Sequence, residues 1–304
     1  MNLSQFEALD AVATFGSFSK AAERLRRNQP ALSKSIQAFE AELGILLFDR
    51  TPGGAKLTEA GERMLRRARS VLAGVDVLRE EAAAILGSKG GSVRVGVSPA
   101  AATTILPAAC KRFLSRYPEA ELDIIPSLFP KSAEQLRDAT LDVVIGPVPE
   151  KHGADLLVED LFQMPVEIVT HCDHPKRQTT NLSDLTGERW IVHGPAEGPS
   201  SLFAAPWETT GIDLPKAQLR CHSIAATLAL LKPLNAFCVL SRAVYLHHAE
   251  QADIAAVPIA APMTAFRMSL STLRNRAPTP AALFLSDCIR AASLAANKSG
   301  SDHP

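Results

Sequence analysis

The chain has 304 residues, 46% hydrophobic and 21% charged, which is enough for more than one core and excludes wholesale disorder. Its 32 Lys+Arg balance 32 Asp+Glu, so no global field points to a partner and any charged site must be local. No apolar run reaches a membrane span, and the opening MNLSQFEALD lacks the basic start and apolar stretch of a secretory signal, so a cytoplasmic protein without a membrane partner is expected.

Three regions follow one another, 1–58, 59–89 and 90–304. In the first, Leu3, Phe6, Leu9 and Val12 form a helical stripe that Gly16 breaks. Ser17 and Ser19 are candidate caps for a short second helix carrying Ala21, Ala22 and Leu25. Pro30 suits the first turn of a third helix, whose apolar stripe of Leu32, Ile36, Phe39 and Leu43 stops at Gly44. On its other side Gln29, Ser33 and Gln37 recur every four residues, with Lys34 beside them. Gln can pair adenine bidentately and Ser can donate or accept, so this face suits base edges. An ordinary solvated helix face has the same look. Lys20, Arg24, Arg26 and Arg27 are placed to hold phosphates. Leu46-Leu47-Phe48 and Ala55-Lys56-Leu57 flank Pro52-Gly53-Gly54 and read as a hairpin. Three helices and a hairpin are the order of a winged helix-turn-helix, with Arg50 and Lys56 on the arms of the wing.

The second region opens with Thr58 as cap and Glu59 in the first turn of a helix to about residue 89. Met64, Ala68, Val71, Val75, Leu78, Ala82 and Ile85 follow at spacings of four and three, a heptad seam that suits a dimerisation coil or packing on its own domain. Arg63, Arg66, Arg67 and Arg69 lie at its start.

The third region changes to short apolar strands alternating with helices. Strands are expected over 92–98, 122–125 and 141–146, with helices over 104–116 and 132–139, an order that predicts a mainly parallel sheet. Later strands are expected over 166–170, 190–193, 236–240 and 267–273, and a last helix begins at Thr279-Pro280, with a polar, frayed tail from Asn297. No G-x-G-x-x-G, P-loop, G-x-S-x-G or H-E-x-x-H occurs, so no enzyme and no cofactor are expected. The five cysteines, Cys110, Cys172, Cys221, Cys238 and Cys288, are odd in number and lack a C-x-x-C pair, which suggests reduced thiols and no metal site. His247-His248 suits a helix dipole better than a metal.

Residues 16–61 carry Gln29-Pro30-Ala31-Leu32-Ser33, Ile36, Phe39-Glu40, Leu43-Gly44, Leu47-Phe48, Arg50 and Leu57-Thr58-x-x-Gly61. This dense pattern resembles the LysR-type transcriptional regulators. A weaker likeness runs on through Ser98, Ile105-Leu106-Pro107, Tyr117-Pro118, Leu141-Asp142 and His174-Pro175. The resemblance implies an α/β chain with an N-terminal winged helix-turn-helix over 1–58, a dimerising linker helix over 59–89 and an effector-binding domain over 90–304. That domain would have two subdomains like those of periplasmic binding proteins, the first about 91–160 with 266–296 and the second about 161–265. It implies a sequence-specific regulator switched by a small organic effector, anionic ones included, bound between the subdomains. Double-stranded promoter DNA, further copies of the chain as a dimer of dimers, and RNA polymerase are the partners it brings to mind.

Carried over residue by residue, Ser19, Lys20, Arg26, Gln29, Pro30, Ser33, Lys34, Gln37 and Arg50 would serve DNA. Ser98, Thr103, Thr104, Ser127, Pro147, His193 and Ser223 would face the effector crevice, where open α/β sheets bind ligands at strand ends. The chain departs from the family at Leu234–Ser241, where a Gly-rich stretch is usual, and at Pro147, where some relatives that bind aromatic acids carry Arg. Cys221 and Cys238 could form a redox pair in a redox-responsive regulator of the same fold. Residues 92–300 alone would also suit a solute-binding or enzymatic module, which needs no reading helix or wing.

Overall fold

The computed structural model describes residues 1–51, 54–194, 203–204, 206–207, 210–217, 219–261 and 263–300. It divides into two compact units. One holds Met1–Ser88 with Glu134–Leu141 and Arg274–Pro280; the other holds Lys89–Ala133, Asp142–Leu273 and the chain from Ala281 on.

The first unit begins with α1 (Leu3–Phe15), α2 (Phe18–Arg24) and α3 (Gln29–Leu43), followed by the hairpin β1 (Phe48–Thr51) and β2 (Gly54–Leu57) and by α4 (Glu59–Ile85). The caps are local and chemical. The Asn2 and Asn28 side chains accept from Gln5 N and Ala31 N, and Gly44 ends α3 at a φ of 70°. Ser17 stands at the cap of α2 but makes no side-chain cap bond. Leu9, Val12, Leu32, Ile36 and Phe39 meet Leu47, Phe48, Leu65 and Ala68 in one core. Two hydrogen bonds set the turn into the hairpin: Leu47 N and Phe48 N both donate to Glu40 Oε1, at 2.8 and 3.3 Å. A third contact explains Gly61. A Cβ there would collide with the Leu47 carbonyl oxygen, so only glycine lets the start of α4 pass this close.

Helix α4 is 27 residues long and stops at Ile85, short of residue 89, because Gly87 takes a φ of 82° just beyond its cap. Its seam also divides. Leu65 and Ala68 are buried and Met64 packs against them in the core with α1, while Val71, Leu78 and Ile85 stay 47%, 69% and 80% exposed.

Next in chain order come β3 (Ser92–Val97), α5 (Pro99–Thr104), α6 (Leu106–Arg116), β4 (Glu121–Pro126), α7 (Lys131–Arg137), β5 (Val143–Pro147), β6 (Leu156–Met164), β7 (Val166–His171), β8 (Arg189–His193) and β9 (Leu219–Cys221). The chain closes with α8 (Ile224–Leu234), β10 (Ala236–Ser241), α9 (Arg242–His248), β11 (Ile254–Ala256), β12 (Phe266–Leu273) and α10 (Pro280–Gly300). Two five-stranded sheets result, ordered β4-β3-β5-β12-β6 and β11-β7-β10-β8-β9.

These sheets are mixed rather than mainly parallel. β3 pairs parallel with β4 and β5, and β8 pairs parallel with β9 and β10. β12 is antiparallel to β5 and β6, and β7 is antiparallel to β10 and β11. The reason is the route of the chain: β7 and β12 are reached directly from the other sheet, without the crossover helix that a parallel connection needs.

The helix expected over 104–116 is two, joined at Ile105, because Pro107 has no N–H to continue the ladder. Strand β6 was not anticipated, since Glu159 and Asp160 read as loop residues. It is an edge strand, and those carboxylates pair with Arg290 and Arg267. Among the described residues no helix is long and apolar enough to cross a membrane.

Candidate functional site

Two places gather the candidate residues. On α3, Gln29, Pro30, Lys34 and Gln37 are exposed and Ser33 is half-buried, while Leu32, Ile36 and Phe39 face the core. Ser19 Oγ donates to Gln29 Oε1 at 3.0 Å, so the first turn of α2 orients the amide at the start of α3. The amide oxygen keeps a second lone pair and the nitrogen keeps its protons, as bidentate pairing with a base requires. Lys20 and Arg26 are exposed, Arg26 with a left-handed φ of 53° in the turn between α2 and α3. Arg50 lies on β1 with its main chain opposite Ala55; its side chain is outside the described residues.

Two other cations are committed elsewhere. The Arg27 guanidinium donates to Ser4 Oγ at 2.7 Å and Glu7 Oε2 at 3.1 Å, which ties it to α1. Arg69 Nε donates to Asp10 Oδ1 at 2.7 Å and holds α4 against α1. Both cations are thus paired within the helical unit, Arg27 among them although its position had suggested a phosphate contact.

The second place is a crevice of about 30 Å³ at the carboxyl ends of β3, β5, β8 and β10, so both five-stranded sheets contribute to it. Ser98, Pro147 and His193 line it, as do Leu128, Ile224, Leu240, Ser241 and Phe266. Ser98 and Ser241 are buried and equivalent in role. Each ends a strand and caps a short helix, accepting from Ala101 N and Val244 N at 3.3 Å. Gly146 lets the first of them settle: a Cβ there would press on Ser98 Cβ at 3.2 Å. His193 Nδ1 lies 3.4 Å from Thr227 Oγ1, and burial, with His222 adding, pushes its imidazole down to about 4, so it is neutral near pH 7.

Thr103, Thr104, Ser127 and Ser223 do not line this crevice. The two threonine hydroxyls turn back to helix carbonyls, Thr103 to Ala100 at 3.1 Å and Thr104 to Ala100 at 2.7 Å. Ser127 is buried just past β4, and Ser223 caps α8, next to the lining residue Ile224. Ser241 escaped the sequence reading. Its signal was available in the repeat of one pattern, an apolar strand followed by a capping serine, at Val97-Ser98 and Leu240-Ser241. Leu128 and Phe266 gave no such signal, because only the fold brings them here.

Two family-like motifs have structural roles. Asp142 accepts from Arg94 through its main-chain N at 2.9 Å and its guanidinium at 3.0 and 3.2 Å, at the strand ends opposite the crevice. The His174 ring packs edge-on against Phe237 at 4.4 Å. His247 and His248 end α9, and no group of three metal-ligating side chains occurs among the described residues.

Residues 3–62 match the bacterial regulatory helix-turn-helix protein model of the lysR family, and residues 86–293 match the LysR substrate binding domain. The chain belongs to the LysR family of transcriptional regulators. It therefore combines a DNA-binding helix-turn-helix with an effector-binding domain. A probable HTH-type transcriptional regulator LrrA of Synechococcus elongatus is 33% identical over 200 residues, 65% of this chain and 67% of that protein. A probable hydrogen peroxide-inducible genes activator of Streptomyces viridosporus is 36% identical over 174 residues, 57% of this chain and 55% of that protein. The chain thus spans about half to two thirds of the curated relatives it matches. In fold it is similar to a full-length OxyR of Pseudomonas aeruginosa, with a TM-score of 0.71, 24% identity and 95% of both chains covered.

For this LysR chain a disulfide between Cys221 and Cys238 does not fit the structure. β8 stands between the strands that carry them. Two strand spacings of about 4.8 Å keep their Cα atoms beyond the roughly 7 Å that a disulfide tolerates. Burial also pushes the Cys238 thiol far up, away from the reactive thiolate.

Proposed function

We propose that this LysR chain is a cytoplasmic, non-catalytic regulator that reads promoter DNA as a homo-oligomer. Gln29, Ser33 and Gln37 meet base edges, with Pro30 and Lys34 on the same helix. Ser19 and Lys20 support them, and Arg26 and Arg50 hold phosphates. The boundaries that suit this division are 1–58 for DNA, 59–89 for the linker helix and 90–304 for the effector domain. The apolar residues left uncovered on α4, Val71, Leu78 and Ile85, support a dimer seam, and a dimer of dimers follows the family pattern.

The effector is a small organic molecule held in the crevice by Ser98, Pro147 and His193, with Ser241 as a fourth contact. The observation that carries this reading is the convergence of strand ends from both sheets on one crevice with buried serines on either side. Ser98 and Ser241 cap α5 and α9, so a ligand seated between them would bear on both helices, and that is the event through which it would alter the DNA complex.

The test is reciprocity. Compounds that bind the crevice should change affinity for a selected promoter fragment, and the fragment should change their affinity by the same factor. Crevice binding with no effect on DNA affinity would refute the coupling.

A further inference from the structure

The hydrogen-bonding capacity of the crevice can be assigned atom by atom. Thr227 has one hydroxyl proton, and the Ser223 carbonyl oxygen at 2.9 Å is the nearer acceptor for it. Toward His193 Nδ1, at 3.4 Å, Thr227 Oγ1 can therefore only accept. This fixes the proton of the imidazole on Nδ1 and leaves Nε2 as an acceptor to which no described residue donates. Ser98 and Ser241 offer the opposite. Their oxygens already accept from main-chain N–H groups, so their protons remain to be given. The only acceptor near Ser98 Oγ among the described residues is the Met268 thioether at 3.9 Å, and Ser241 Oγ has none.

The other eight lining residues are apolar, and no Lys, Arg, Asp or Glu is among the lining. The sequence bordering His193 supplies no cation either: no Lys or Arg occurs between Arg189 and Lys216.

Resting on the reading of this crevice as the effector site, we propose that it selects a compact uncharged molecule with a hydrogen-bond donor and an acceptor on an apolar body, as in a primary amide, and rejects carboxylates. The ligand's donor meets His193 Nε2, and its acceptor receives the Ser98 and Ser241 protons. A carboxylate could take the same serine protons, but it would bury its charge without a cation and set its second oxygen's lone pairs against Nε2. The neutral state of His193 near pH 7 removes the cation that could otherwise compensate.

The probes are isobutyramide and isobutyrate, which share a carbon skeleton and differ in charge. The full chain, methyl-labelled at Ile, Leu and Val, is titrated with each by NMR near neutral pH. The methyls of Leu128, Ile224, Leu240 and Val244 report from the crevice wall. Isobutyramide should shift them saturably, and isobutyrate should bind at least about tenfold more weakly. His193→Phe should weaken the amide by about the same factor with the other methyl signals in place, and Leu128→Lys should turn the preference towards the carboxylate. Isobutyrate shifting the wild-type methyls as readily as isobutyramide overturns the uncharged class and leaves the crevice as an effector site. If neither probe moves these methyls, both the class and the crevice reading fall.

Discussion

On α3 the groups proposed to recognise DNA stand in water: Gln29, Lys34 and Gln37 are exposed, and the apolar residues lie behind them. In the crevice the order is reversed. Ser98 and Ser241 are 2% and 3% exposed, and the wall around them is apolar. The difference follows from the two ligands. A duplex is a polyanion that meets a convex helix, so its contacts can be solvated, charged and close in sequence. A small effector must be enclosed, so its few polar contacts are buried, uncharged and drawn from distant segments.

The contrast should be widest in salt. Specific DNA affinity should fall by roughly a thousandfold or more between about 50 and 200 mM salt if six or more phosphates are neutralised. Isobutyramide binding to the crevice should hardly move. Parallel salt titrations by fluorescence anisotropy and NMR check this, and similar slopes would erase the distinction.

Next comes the dependence on a second copy. Val75→Asp places a charge in the proposed seam of α4 and should cost the dimer about 3 kcal/mol, seen by sedimentation. Paired half-site binding should go with it, while crevice binding remains. A dimer unchanged by this substitution would refute the seam.

Within the DNA face, Gln29→Ala should erode preference by about 1–3 kcal/mol at one or two base positions, read by competition among single-base variants of the site. Arg26→Ala should weaken all sequences alike and lower the salt slope.

The last effect concerns acid. The folded His193 titrates near 4, whereas a free imidazole titrates near 6.5, so the unfolded chain binds the extra proton first. This contribution to stability is complete above about pH 6.5 and is lost as pH falls towards 4. Denaturation midpoints across that window should flatten in His193→Phe.

Legibility in the sequence follows the same division. The helix-turn-helix could be read because its signals are local: the start at Pro30, the stop at Gly44 and the four-residue recurrence of Gln29, Ser33 and Gln37. Seven of the ten strands of the two sheets were visible as apolar runs; β6, where Glu159 and Asp160 disguised an edge strand, and the three-residue β9 and β11 were not. Ser98, Pro147 and His193 could be named because they end such runs. Thr103 and Thr104 were misplaced by proximity to Ser98, since their hydroxyls satisfy their own helix. Arg27 looked free because its carboxylate partner, Glu7, lies on a different helix.

The account rests most directly on selective DNA recognition. The deciding measurement exposes the full chain to pooled genomic fragments, sequences the bound pool and titrates the best fragment against salt. An enriched site with paired half-sites and a steep salt slope is the predicted result. Equal binding of all fragments, or none, would contradict it.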